Sequence, residues 1–401
     1  MGRSIKVTMA MLMAASLSHA HWTGQCDLLK QTPLQILPMI GRGNELPMLY
    51  PETEGNSSTP QFHLYALEEF AGGRGISILT TPERIEAFGN LPSLARGPNE
   101  FWSNIYEERE IPGKGRGLIA KKTLHRGDTI FSNTPILILD DDLPDRPKWS
   151  RAAVGGLPVA TQKLFWELCR PDKSDLVMGR IDVNVFDVEI GGGSFAALFP
   201  EIARMNHDCR PNADYYFDPS SMKHTVVATT TIPAGSEISI TYIDPHLSRD
   251  ERVESLSDTW GFPCSCSACT LSDRQSYLSD SRLELIDELR SLYDEDGWAG
   301  VSPQMADTLV AVYEQERLHS YAGQAAWLAA LTHCAHGNRW ETIRYAHHAI
   351  ELGNLNEEVM VDELDGLGLE ELEQLTLEPE LGDCWMRARI QDLKGSQTVI
   401  L

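Results

Sequence analysis

The chain has 401 residues, 42% hydrophobic and 23% charged, a balance that permits two or three domains with sizeable cores and excludes a disordered polar tail. Asp and Glu number 58 against 34 Lys and Arg, giving a net charge of -24. That excess argues against direct nucleic-acid binding, because a phosphate backbone needs basic surface to release its counterions. It accommodates plain solubility or a basic partner, such as a lysine-rich protein or peptide.

Residues 1–20 place Arg3 and Lys6 before an apolar run from Val7 to Ala15 and end Ser18-His-Ala20, the pattern of a secretory signal peptide. The run is too short to span a bilayer, so no transmembrane segment is expected. An ordinary N-terminal helix or a misplaced start codon would give the same composition. The sequon Asn56-Ser-Ser58 matters only if the chain is exported. Residues 21–101 mix Pro, Gly and short apolar runs without a sustained period and are expected to form a poorly defined extension.

Gly113-Lys-Gly115-Arg-Gly117 then forms a glycine-rich turn between strands, where backbone can approach a ligand closely. No helix pattern or ribose-binding acid follows, so it is not a dinucleotide fingerprint. A turn at residues 124–128 leads into an apolar strand expected over 129–139. A polar, proline-broken insertion follows at about 140–178, with a helix expected across Leu164–Cys169. Residues 214–231 alternate like a hairpin. Glu237 to Ile243 alternates as a strand whose end carries Tyr242.

Cys209 follows Asn206 and His207 within Arg204-Met-Asn-His-Asp-Cys-Arg-Pro-Asn212, and Cys264, Cys266 and Cys269 stand in a tight C-x-C-x-x-C. Four thiolates complete a tetrahedral zinc shell of the closed, structural kind. The alternative is four inert thiols. Cys26, Cys169, Cys334 and Cys384 are scattered and read as small buried hydrophobes. From residue 273 onward, apolar residues recur at helical spacing around Leu283, Leu309, Trp327 and Ile343, and residues 334–353 have a faint tetratricopeptide character. Residues 351–383 hold 12 acidic and no basic side chains interleaved with leucines, as a solvated face or a dock for a basic partner.

The order of the Asn206-His207 loop, the Ser236-Glu237 turn, the strand ending in Tyr242 and the cysteine triad resembles the SET-domain lysine methyltransferases. The resemblance is nearest the SET and MYND branch, and it extends to fungal-type SET-domain proteins. It implies an α+β chain: a SET β-fold of small twisted sheets with a threaded near-knot at residues 102–245, a post-SET zinc segment at 246–272, and a helical domain with an acidic tail at 273–401. Where that branch carries its zinc finger, this chain has only Cys169, so the finger is missing. The resemblance also implies S-adenosyl-L-methionine as cofactor, held by Lys114, Gly115, Arg116, Asn184, Asn206, His207 and Phe262. Tyr242 would be the catalytic tyrosine, Phe186, Trp260 and Tyr242 the substrate channel, and Cys209, Cys264, Cys266 and Cys269 the ligands of a structural zinc. His207 and Phe186 could instead be core residues, and Trp260 and Phe262 could simply brace the metal.

The expected activity is methyl transfer to a lysine of a basic protein, by a monomer. The competing class is a catalytically silent, zinc-stabilised interaction module, possibly secreted. The leader points to the secretory route, and the family points to nucleus or cytoplasm.

Overall fold

The computed structural model describes residues 61–89, 104–171, 174–294, 300–353, 373 and 375–377. The candidate signal peptide, the sequon and nearly all of the acidic stretch beyond residue 353 lie outside the described residues.

Three sheets build the first part of the chain. The largest has the order β1-β2-β6-β8-β7, formed by β1 (His63–Leu67), β2 (Ile76–Thr80), β6 (Leu137–Asp140), β8 (Gly193–Leu198) and β7 (Val185–Ile190). All neighbours are antiparallel except β2 and β6. Alternate residues feed two cores: Ile78, Ile138 and Ala197 face one, and Leu79, Leu137, Leu139 and Leu198 face the other. The second core is closed by helices of the insertion, α1 (Arg146–Gly155), α2 (Val159–Trp166) and α3 (Met178–Asn184), through Trp149, Val154, Phe165 and Ile181.

Four expectations are corrected here. Residues 61–89 are not a loose extension, since β1 and β2 complete the large sheet. Buried on both faces, these strands show no polar alternation that a period of two could reveal. The single strand expected over residues 129–139 is two strands in different sheets. β5 (Thr129–Asn133) joins β10 (Ala213–Asp218) and β11 (Lys223–Ala228), while β6 enters the large sheet beyond Pro135, which has no amide hydrogen to give a ladder. The insertion helix begins at Val159 and ends at Trp166, so Cys169 lies past it. Cys169 and Cys334 are each disulfide-bonded rather than free core thiols.

The third sheet, β3-β4-β12-β9, carries the site. β3 (Tyr106–Ile111) and β4 (Gly115–Ala120) form the glycine hairpin. β12 (Glu237–Ile240) lies between β4, antiparallel to it, and β9 (Asn206–His207), parallel to it.

Beyond the site come α4 (Arg249–Trp260), α5 (Asp273–Asp294), α6 (Pro303–Gln315), α7 (Ala322–Ala335) and α8 (Arg339–Gly353). α7 is buried along nearly its whole length and packs on both α6 and α8, as a helix apolar on every side must. Two arginines fasten this helical part to the sheets. Arg210 meets Glu316 at 2.7 Å in a buried ion pair, and Arg126 donates to the carbonyls of Thr229, His319 and Leu352.

Candidate active site and cysteine cluster

The loop through residue 209 is placed by side chains that imitate backbone. Ser239 N–H donates to Asn212 Oδ1 at 2.9 Å, and Asn212 Nδ2 donates to the Glu237 carbonyl at 2.8 Å, tying the loop along β12. Ser239 and Ile240 pair with Asn206 and His207, and Asp208 N–H donates to the Ile240 carbonyl at 2.9 Å. Cys209 is thereby fully buried.

The other three cysteines are delivered by α4. Ser248 and Glu251 close a capping box at its start. Gly261, at φ 75°, ends it in the left-handed conformation that glycine adopts freely. Phe262 and the triad follow at once. The four sulfurs lie within 4.8 Å of one another, with Cys209 Sγ 3.5 Å from Cys269 Sγ and 4.0 Å from Cys264 Sγ. A tetrahedral ion with Zn–S bonds of about 2.3 Å sets its sulfurs about 3.8 Å apart, so this donor set fits zinc.

Beside the cluster is a cavity partly open to solvent. Its lining includes Lys114 and Arg116 from the glycine hairpin, Asn206 and His207 from β9, Asn184 from the end of α3, and Tyr242, Trp260 and Phe262. Cys264 and Cys266 also reach it, so the cluster and the cavity share a wall. Gly115, at φ 76°, supplies the turn between its two cationic neighbours rather than a wall. Phe186 is not on this cavity. It is fully buried in the core, edge-on to Tyr215 and His224 at ring-centroid distances of 5.2 Å, because Phe186, Val188 and Ile190 all face the first core. Asn184 turns its amide inward, donating to the carbonyls of Cys169 and Arg180 at 2.8 and 2.7 Å.

Sequence reasoning missed Glu167, Leu168, Val183 and Arg204, which also line the cavity. Arg204 is ion-paired with Glu108 and, at 2.8 Å, with Glu167, joining the insertion to the hairpin across the cavity. It missed Glu237 as well. One carboxylate oxygen of Glu237 accepts from Asn206 Nδ2 at 2.9 Å and the other from Lys114 Nζ at 2.8 Å. Glu167, Arg204 and Glu237 signalled only polarity, and Leu168 and Val183 read as core residues, so none carried an address.

Tyr242 is held at three points on the wall. Its hydroxyl donates to the Met205 carbonyl at 2.5 Å, its amide donates to His207 Nδ1 at 3.1 Å, and its ring packs 5.4 Å from Trp260. Burial, with the Glu237 carboxylate second, pushes its hydroxyl above the ordinary tyrosine range, so it stays protonated. Burial likewise lowers the His207 ring to about 3, leaving it neutral.

The SET domain family model matches residues 115–243, which span the glycine hairpin, the Asn206-His207 loop and Tyr242. The chain carries a SET domain. It is similar to histone-lysine N-methyltransferase set5 of Schizosaccharomyces pombe, 35% identical over 180 residues, 44% of this chain and 54% of that protein. It is also similar to human N-lysine methyltransferase SMYD2, 32% identical over 108 residues, 26% of this chain and 24% of that protein. The match thus spans about half of the yeast relative and a quarter of the human one. The Neurospora SET domain protein DIM-5, a histone lysine methyltransferase, aligns over 35% of this chain and 52% of its own at 16% identity and a TM-score of 0.23, too low to carry a structural argument. The SET domain match ends one residue past Tyr242, so the cysteine triad and helices α4 to α8 lie beyond it.

Proposed function

We propose that the chain is a protein-lysine N-methyltransferase that uses S-adenosyl-L-methionine and carries a structural zinc on Cys209, Cys264, Cys266 and Cys269. The observation that carries this reading is the seat of Tyr242, whose hydroxyl is held on the wall of a cavity that combines cations, amides and aromatic faces. When bound, the cofactor would supply a methyl group on a sulfonium. Its charged amino-acid end suits Lys114, Arg116 and the Asn206 amide, and its adenine suits the face of Phe262. Gly115, Asn184 and His207 would shape the same site.

The acceptor must be a neutral amine. At a reference pKa of about 10.4, deprotonating lysine at pH 7 costs roughly 4.6 kcal/mol. An apolar passage disfavours the ammonium and so lowers that cost, which removes the need for a strong base. Tyr242 orients the amine by its hydroxyl, and Trp260, packed against it, excludes water from that side. Phe186 packs in the core against Tyr215 rather than forming a channel wall. One relative's name specifies histone lysine and the other's lysine, and a chain of net charge -24 attracts a lysine-rich substrate.

The same reading extends to the fold. The place of β12 between β4 and the Asn206-His207 strand supports the threaded near-knot, and the successive packed helices α5 to α8 support a tetratricopeptide-like domain.

The test is calorimetric titration of residues 21–401 with S-adenosylmethionine and with its demethylated product, zinc content being measured on the same sample. Saturable binding with one zinc per chain is expected, followed by methyl incorporation into lysine-rich proteins. A folded, zinc-loaded chain that binds neither compound would overturn the enzyme.

A further inference from the structure

His207 is a buried histidine with both ring nitrogens engaged. Nδ1 accepts the Tyr242 amide hydrogen at 3.1 Å, and Nε2 lies 3.2 Å from Cys209 Sγ. A backbone N–H can only donate, so Nδ1 carries no proton. The ring proton therefore sits on Nε2 and points at the sulfur.

The position of this ring explains why it is needed. β12 ends at Ile240, whose carbonyl takes the last ladder bond from Asp208 N–H. Tyr242 lies two residues farther on, past the pairing of β12 with β9, which ends at His207. The imidazole replaces the missing strand neighbour and satisfies an amide that would otherwise be orphaned in a buried site. The same short loop holds the other end of the tyrosine, since the Met205 carbonyl accepts its hydroxyl at 2.5 Å. The His207 and Tyr242 rings also touch, with centroids 5.3 Å apart.

Resting on the reading of Tyr242 as the catalytic tyrosine, we propose that His207 is a positioning residue that makes the seating of Tyr242 depend on the ligation of Cys209. A metal-bound Cys209 is a thiolate, a stronger acceptor for Nε2–H than a thiol. A held Nε2–H fixes the plane of the ring, and the ring plane fixes where Nδ1 meets the Tyr242 amide. The cysteine cluster thereby does more than close the fold. It braces the tyrosine through one side chain, over two hydrogen bonds.

The experiment follows the Tyr242 backbone amide by NMR in the full-length chain labelled at tyrosine, with the signal assigned by Tyr242→Phe. Exchange of zinc for cadmium changes the charge and reach of the sulfur. The Tyr242 amide is expected to shift in the wild type and to stay in place in His207→Phe, which keeps the ring packing and removes both hydrogen bonds. An unmoved amide in the wild type, or an equal shift in the variant, overturns the proposal. Should His207→Phe fail to fold, the wild type labelled in its histidine rings decides alone: a proton on Nε2 supports the relay, and one on Nδ1 overturns it. A second readout is transfer of zinc to a chromophoric chelator, expected to be about tenfold easier from His207→Gln than from the wild type, in line with lost ligand-supporting hydrogen bonds. Unchanged transfer counts against the relay. None of these arms needs methyl transfer, so failure of the enzyme reading and failure of the relay are separable.

Discussion

Asn206 and Glu237 meet across two strands, with the Asn206 amide nitrogen 2.9 Å from a Glu237 carboxylate oxygen whose twin holds Lys114 at 2.8 Å. One acid thus sets the positions of an amide and a cation proposed to grip the same ligand. Glu237→Ala releases both. Loss of one partly buried charge-assisted bond is worth about 1.5 kcal/mol, so the dissociation constant for S-adenosylmethionine is expected to rise about tenfold by calorimetry. Glu237→Gln keeps an oxygen for Asn206 and loses the ion pair with Lys114, so its effect is expected to be smaller. Equal affinity in Glu237→Ala and wild type would show that the two ligands orient themselves.

Gly117 stands beside this pair for a steric reason. A Cβ there would lie 2.4 Å from Ile111 Cδ1 and 2.6 Å from Asn206 Nδ2. Ile111 can yield, but Asn206 is held by Glu237. Gly117→Ala is therefore expected to displace the amide and weaken cofactor binding about tenfold, at the cost of one hydrogen bond, while the melting temperature moves by only a few degrees. Matching calorimetry and thermal unfolding on one preparation separates the two effects.

Tyr242→Phe removes the hydroxyl and leaves the ring against Trp260. Turnover is expected to fall about 100-fold, the scale of a misaligned reacting group, with cofactor affinity unchanged. Because burial and Glu237 keep the Tyr242 proton on at alkaline pH, the alkaline limb of the wild-type rate profile should not come from this residue. A limb that disappears in Tyr242→Phe would contradict that assignment, and undiminished turnover would remove the residue from the mechanism.

Cys209→Ser replaces the most buried ligand with a hard oxygen that suits zinc poorly. Since ion binding is coupled to folding, zinc content is expected to fall below one per chain and the melting temperature by on the order of 10 °C. Elemental analysis and calorimetric scanning check both. A wild type that is free of metal and still unfolds cooperatively at the same temperature would sink the clamp.

The parts of this site that could be read from sequence are those in which chemistry and spacing coincide. Three cysteines within six residues, an Asn-His pair two residues before a fourth cysteine, and a tyrosine at a strand end all announce their roles locally. Phe186 misled because an aromatic residue on the inward face of a strand looks the same whether that face borders a channel or a core. Glu237, Arg204 and Glu167 were invisible for a different reason: each acts through partners between 31 and 123 residues away. Strands β1 and β2 were missed because their burial on both sides erases the alternation that identifies a strand. By contrast, the four helical patterns after the triad are each a helix, three of them with one apolar stripe and α7 apolar on every side.

Arg210, next to Cys209, reaches out of the loop to Glu316 at the end of α6 with both side chains at most 5% exposed. Arg210 also donates to the carbonyls of Cys209 and Pro245, while Ser279 and Arg282 complete the shell around Glu316. Burial alone would raise the Glu316 carboxyl, but Ser279, Arg210 and Arg282 together hold it below the ordinary value. A depressed carboxyl contributes stability that is present above its unfolded value, about 4.3, and is lost as pH falls through the folded value. Denaturant unfolding is therefore expected to weaken on acidification below that range. Glu316→Ala strands Arg210 in a buried site and should cost about 3–5 kcal/mol, whereas Arg210→Met with Glu316→Leu, which removes both charges, should cost far less. A cycle of the two single variants and the double measures this directly. If Glu316→Ala costs under about 1 kcal/mol, the pair behaves as an exposed one and does not fasten the helices to the cysteine loop.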